Sequence, residues 1–239
     1  YIRVPDSPEL DFGTNPFTVE GWIKIPPSPS CATSICNGGF RYGQACDTTI
    51  HNNGPIDPNF STQGCTMGGS VIAKQSSGSN PGFVVHTNTN CNNGMGKLFF
   101  RVNDNGSSGD EDRIICSPKI DDNQWHHFAA VREGGVLRMY INGMRAGEKR
   151  NDGTSIQEVS AGSQINVDNN FPLYVGVYRN GIGSEIPWTS PFKGSLDELR
   201  IWKKALTDQQ IADIYNSGAG KQCLAPQKGS ACDADLALP

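Results

Sequence analysis

The chain has no apolar run approaching the ~18 residues needed to cross a bilayer as a helix, so no membrane insertion through a helix is expected. It has no basic excess. Its 20 Lys and Arg stand against 24 Asp and Glu, a formal net charge of −4. With no Lys/Arg cluster either, nucleic acid is excluded as a partner class. The Cys-x-x-Cys spacing of zinc sites is missing, as are G-x-S-x-G, H-E-x-x-H and a phosphate-binding loop, so no catalytic residue is assigned. The chain opens on Tyr1 with no leader pattern. A processed product or a piece of a longer protein is expected.

Glycine and proline are plentiful, at 28 and 15 residues, as suits many short strands joined by turns. Eight cysteines, Cys31, Cys36, Cys46, Cys65, Cys91, Cys116, Cys223 and Cys232, read as disulfides and place the chain outside the cytoplasm, secreted or at a cell surface. Their grouping suggests Cys91–Cys116 and Cys223–Cys232, with the first four paired among themselves.

Strand patterns cover "YIRV", "FTVEGWIKI", "SVIAK", "GFVVHTN", "KLFFRVN", "DRIICS", "NNFPLYVGVY" and "PFKGSLDELRIW". Residues 26–69 lose all periodicity and carry four cysteines; a loop of that length is read as a stapled binding or partner loop. One helix is expected in "TDQQIADIYNSG". Thr207 and Gln210 make a capping box, Ile211, Ile214 and Tyr215 an apolar face, and Gly218 a stop.

The stretch "WHHFAAVREGGVLRMYINGMRAGEKR", residues 125–150, raises the question of catalysis most directly. Its alternation and its Glu133-Gly134-Gly135 and Asn142-Gly143 turns predict a three-stranded meander, with Met144 to Lys149 returning as the third strand. Neighbours on a strand face opposite ways, so His126 and His127 cannot share one metal. One of the two is expected packed and the other on the sheet's opposite face. Trp22, Trp125 and Trp202 are expected in the sandwich core. The adjacent Asp197 and Glu198 also face apart, which removes the convergent carboxylates of glycoside hydrolysis.

Taken in order, "YIRVPDSPELDF", "NPFTVEGWIKI", "VIAK", the 125–148 meander, "LYVGVY" and "PFKGSLDELRIWKKALTDQQIADIY" resemble the laminin-G-like, pentraxin-related jelly rolls of the concanavalin A-like lectin/glucanase superfamily. The resemblance implies an all-β fold: a two-sheet antiparallel jelly-roll sandwich with one short C-terminal helix. It would span 1–217, interrupted by the disulfide-rich insertion 26–69, with 218–239 a disulfide-tethered tail. It also implies calcium at one of two places. One is Asp197, with a charge pair to Arg200 or Lys203 as the plain alternative. The other is a rim where the loops before "GFVV" and after "VGVY" meet, with Asn80, Asn180 and Asp104 as polar candidates. The superfamily's glycanases set carboxylates as E-x-D-x-x-E on one strand, a pattern absent here.

The expected function is extracellular recognition or adhesion, binding glycan or protein through rim loops, with Tyr42, Tyr178 and Trp188 as stacking candidates. The alternatives are a structural or decorating subunit of a surface filament, and a polysaccharide-active enzyme. Asn59 and Asn105 open glycosylation sequons. The family's earlier first segment is missing before Tyr1, so an open sheet edge at residues 1–4 and 195–202 is expected to invite assembly.

Overall fold

The computed structural model describes residues 1–27, 69–75, 80–87, 91, 96–104, 113–160, 165–177 and 192–218. Tyr42, Tyr178, Trp188, Asn180, Asn59, Asn105, Cys31, Cys36, Cys46, Cys65, Cys223 and Cys232 lie outside these residues, as do most of the insertion and nearly all of the tail.

In chain order the strands are β1 (Ile2–Val4), β2 (Phe17–Lys24), β3 (Ser70–Lys74), β4 (Gly82–Thr87), β5 (Lys97–Asn103), β6 (Ile114–Lys119), β7 (Trp125–Glu133) and β8 (Val136–Ile141). Then come β9 (Met144–Arg145), β10 (Gly147–Glu148), β11 (Ser155–Ile156), β12 (Val159–Ser160), β13 (Leu173–Val175), β14 (Ser195–Trp202) and the helix α1 (Asp208–Gly218). They form an eight-stranded sheet, β1-β13-β3-β4-β5-β6-β10-β11, and a six-stranded sheet, β12-β8-β7-β2-β14 with β9 beside β8. Every pairing is antiparallel. The expected jelly-roll sandwich with a short late helix is what is found.

Strand alternation builds the core directly. Phe17, Val19 and Ile23 of β2 meet Phe83 and Val85 of β4 and Leu98, Phe100 and Val102 of β5 between the sheets, with Leu137, Met139 and Ile141 of β8. Phe17 lies 5.0 Å from Phe83 and 6.0 Å from Phe100, ring to ring. One end of the sandwich is therefore the Phe17 end, where Lys74, Gly82 and Arg132 also lie. The other is the Trp125 end, where the amide of Asn123 bonds the Ile25 carbonyl at 3.0 Å.

The hairpin at Asn142-Gly143 has φ of 51° and 78°, the left-handed pair that a type I′ turn needs. The third strand of the meander is cut short. After β9 the chain crosses, and Gly147 pairs with Ile156 as part of the eight-stranded sheet. Glycine is required at that crossing, since a Cβ would sit 2.7 Å from Ile115 Cδ1 and 2.9 Å from the Ile156 carbonyl. The Cys91–Cys116 disulfide is present. So is the capping box: Thr207 N–H donates to Gln210 Oε1 at 3.0 Å, and Gln210 N–H to Thr207 Oγ1 at 3.2 Å.

The two rim loops expected to meet start from opposite ends. Asn80 precedes β4 at the Phe17 end, whereas β13 runs antiparallel to β3 and leaves through Gly176, bonded to the Val71 carbonyl, toward the Trp125 end. β1 and β14 are edge strands, each of a different sheet.

Candidate functional site

Three neighbouring strands set one row of side chains on the outward face of the six-stranded sheet. Asp197 of β14 lies opposite Trp22 of β2, which lies opposite His127 of β7. The next row toward the Trp125 end is Ser195, Lys24 and Trp125. The period of two puts both rows on the same face. Trp125 is 40% exposed. Ser195 and Asp197 are exposed, and Lys24 and Trp22 half-buried. Trp22 packs 5.8 Å from Tyr215 of α1 and edge-on to His127 at 5.5 Å, ring to ring. The result is a shelf: an open indole and a partly covered one, bordered by an ammonium, a hydroxyl and a carboxylate.

Beside the shelf, on the same face and toward the Phe17 end, lies a buried polar network. Glu20 of β2 is fully buried. Its Oε2 faces His127 Nε2 at 3.1 Å, and its Oε1 accepts from Trp202 Nε1 at 3.2 Å and from Arg200 Nη1 at 3.4 Å. Arg200 also reaches Glu198 Oε2 at 3.2 Å. A buried carboxylate persists only when paired and hydrogen-bonded in this way. The network is possible because β14 breaks its register between Asp197 and Arg200, with Glu198 at φ 49°. Gly21 lets that bulge approach, since a Cβ there would meet Leu199 Cα at 3.1 Å.

The His-His motif has a structural answer. His127 goes to Glu20 under α1. His126 Nε2 sits 3.0 Å from Asp122 Oδ1, and its Nδ1 3.0 Å from Asn142 Nδ2. Asn142 in turn accepts the His127 amide at 3.0 Å. The histidine pair and the Asn-Gly turn are thus one unit that squares off the Trp125 end. Asp122 titrates below the usual carboxylate range, held there by the Gln124 backbone N–H and then by His126.

None of the three tryptophans expected in the core lies between the sheets. Trp125 is exposed, and Trp22 and Trp202 are half-buried on the outward face rather than between the sheets. The signal for Trp125 was its position as the first residue of a strand, just after the polar turn Asp121–Gln124. Asp197 joins the shelf, and its Oδ1 accepts the Glu198 amide at 2.9 Å. Arg200 serves Glu20 and Glu198, and Lys203 reaches the Pro8 carbonyl at 3.4 Å. Asn80 and Asp104 are brought to one end by the pairing of Gly82 with Asn103. There the Asn80 carbonyl accepts from Gln75 Nε2 at 2.6 Å, and Asp104 pairs with Arg113 at 2.6 Å.

Among the described residues neither Asp197 nor Asp104 has the oxygen set for calcium; Asn180, the rim's other candidate, lies outside them. The ion takes six to eight oxygens, several of them carboxylates. Asp104 already faces a guanidinium, and Asp197 offers one carboxylate engaged with a backbone amide. Among the described residues no three His, Cys, Asp or Glu side chains are placed to share a metal. A shallow groove of about 360 Å³ beside the start of α1 is lined by Glu133, Arg138, Arg145 and Asp208. Its charges are already paired among themselves and with Glu158.

A laminin-G-type family model, described as the concanavalin A-like lectin/glucanases superfamily, matches residues 58–212. The chain belongs to this superfamily. It is 28% identical over 109 residues to the rat sushi, von Willebrand factor type A, EGF and pentraxin domain-containing protein 1, covering 45% of this chain and 3% of that protein. It is 29% identical over 134 residues to human laminin subunit alpha-3, covering 54% and 4%. The chain thus spans a few per cent of the length of these relatives. Among solved structures it resembles a heptameric SAP-like pentraxin from Limulus polyphemus, with TM-score 0.49, 17% identity, and 89% and 80% of the two chains covered. It also resembles domain 4 of AbnA, an extracellular arabinanase from Geobacillus stearothermophilus, in complex with arabinotriose, with TM-score 0.44, 21% identity, and 89% and 71% covered.

Proposed function

We propose that this chain is an extracellular recognition domain that binds a glycan at the Trp125 shelf. The observation that carries the reading is an exposed indole on a sheet face, flanked by Lys24, Ser195 and Asp197, in a member of a lectin and glucanase superfamily. A sugar's C–H face packs against an aromatic ring, while hydroxyls need the donors and acceptors such a border supplies. The reading is binding rather than hydrolysis because the shelf presents one carboxylate, Asp197, where hydrolysis needs a converging pair, while Glu20, one row along the same face, is fully buried and out of a substrate's reach. The Cys91–Cys116 bridge supports an oxidising, extracytoplasmic setting.

A glycan array followed by calorimetry on the best ligand tests this. Trp125→Ala is expected to weaken binding about tenfold, which is ~1.4 kcal/mol. Full affinity in that variant moves the site elsewhere, with the 26–69 loop and the candidates Tyr42, Tyr178 and Trp188 next in line.

The exposed apolar residues of the edge strand β1, Tyr1 at 75% and Ile2 at 61%, favour a second reading, assembly through that edge. Sedimentation of the chain beside Ile2→Lys decides it. A concentration-dependent assembly lost in the variant supports assembly, and a monomer in both removes it.

A further inference from the structure

The Phe17 end is closed by two buried cations, one from each sheet. Lys74, the last residue of β3, is 1% exposed. Its Nζ donates to Asn169 O at 2.6 Å, to Asp6 Oδ1 at 2.7 Å and to Asp11 Oδ1 at 3.5 Å. Arg132, near the end of β7, is also 1% exposed; it donates from Nη1 to the Gly13 carbonyl at 2.9 Å and from Nη2 to the Ile165 carbonyl. Each cation ties the N-terminal segment to the segment 165–169. The Gly13 amide adds a bond to Asp168 Oδ1.

The surroundings of Lys74 are fixed on all sides. Asn169 Nδ2 donates to the Lys74 carbonyl at 3.0 Å and to the Pro81 carbonyl at 2.9 Å. Gly82, at φ 141°, comes so close that a Cβ there would fall 2.0 Å from the Lys74 carbonyl.

We infer that Asp6, Asp11 and the Asn169 carbonyl form a cation seat, which the chain fills with the Lys74 ammonium in place of a metal ion. An ammonium has three donors and no acceptor, and all three are used here on hard oxygens. Two carboxylates and a carbonyl are the donor class that holds calcium, with water completing the shell. A divalent ion cannot enter while the ammonium stands among these oxygens, since the two charges would repel at contact distance. Closure of residues 5–12 onto the sandwich is therefore independent of divalent metal. Shortening Lys74 leaves two solvent-accessible carboxylates without a counter-charge and opens space for an ion and its water.

Hydrogen exchange on residues 2–12 of the full chain tests the seat, measured in chelator and in calcium chloride for the wild type, Lys74→Ser, and Lys74→Ser combined with Asp6→Asn and Asp11→Asn. In the wild type the exchange is expected to ignore calcium. In Lys74→Ser it is expected to rise at least about tenfold in chelator and to fall back in calcium, with an affinity of roughly 10⁻⁴–10⁻³ M, the range of extracellular modules. The triple variant is expected to stay fast in both. Calcium-slowed exchange at 2–12 in the wild type overturns the inference, because the lysine would then not fill the seat. Lys74→Ser indifferent to calcium overturns it equally, because the oxygens would be a plain ion pair. If Lys74→Ser unfolds in chelator, recovery of its β-sheet circular dichroism in calcium supports the seat, and failure to recover counts against it.

Discussion

The two ends of the sandwich are finished in opposite ways. At the Phe17 end, Lys74 and Arg132 point inward and are used up on carboxylates and carbonyls. At the Trp125 end, Lys24, Trp125, Ser195 and Asp197 are left open, and the buried charge, Glu20, lies further along the same face. The first end trades solvation for closure, and the second keeps side chains solvated beside a rigid buried network. Buried groups fixed by several partners suit holding, and exposed groups on a rigid strand suit contacting. If this division is real, substitutions at the first end move stability, and substitutions at the second move binding.

The largest effect is expected from Arg132→Met. It strands the Gly13 and Ile165 carbonyls and removes the positive charge that Asp168 interacts with, so a loss of about 3 kcal/mol or more is expected. Urea unfolding measures it, and a loss below about 1 kcal/mol would mean that water replaces the guanidinium and the end is not sealed. Glu20→Gln should follow, costing about 2–3 kcal/mol. The amide carries no charge to set against Arg200, and its Nε2–H bonds His127 Nε2 only if that nitrogen accepts. This variant also tests the link between the network and the shelf. If the network holds Trp22 through His127, glycan affinity falls along with stability, whereas affinity unchanged at equal stability loss would separate the two. Trp125→Ala should do the reverse of Arg132→Met, with stability within about 0.5 kcal/mol of the wild type while binding drops.

The contrast between the ends was only partly legible in the sequence. Strand period gave the core, because Phe17, Val19 and Ile23 alternate with Thr18, Glu20 and Trp22, and the structure places them on opposite faces of one strand. The capping box, the Asn-Gly turn and the Cys91–Cys116 bridge were also readable, since each depends on local chemistry or on a flanked hairpin. Glu20 was not. Its partners come from residues 127, 200 and 202, and no local pattern relates them. The burial of Lys74 has no local signal, because it depends on residues 6, 11 and 169 folding over it. The exposure of Trp125 was missed because aromatic residues at strand ends look like core until the register fixes where the neighbouring strands stop. The bulge at Glu198 likewise has no signal in "SLDELRIW", because it is a consequence of how β14 meets Gly21.

The smallest effect concerns the helix that runs across the outward face between the two ends. Tyr140 Oη donates to Asp208 Oδ1 at 2.6 Å, and Arg145 Nε pairs with Asp208 Oδ2 at 3.0 Å. Burial, and then the bond to Asp208, push the Tyr140 hydroxyl up to about 12. Asp208 is held below the ordinary carboxylate range: burial opposes this, but hydrogen bonds from Arg145 and Tyr140 prevail. The signs follow from linkage. Tyr140 has a raised folded value, so its contribution is complete below about 10, the ordinary tyrosine value, and is lost as pH climbs through about 12. Asp208 has a depressed folded value, so its contribution is present above the ordinary aspartate value and lost as pH falls through the folded one. The helix should therefore loosen at both extremes. Since Tyr215 near its far end packs on Trp22 and His127, the loosening should reach the shelf. Tyr140→Phe is expected to cost about 1 kcal/mol near neutral pH and to remove the alkaline limb, as read by tryptophan fluorescence against pH. If the fluorescence of wild type and Tyr140→Phe changes at the same alkaline pH, α1 is held by its apolar face alone and the two ends are not coupled through it.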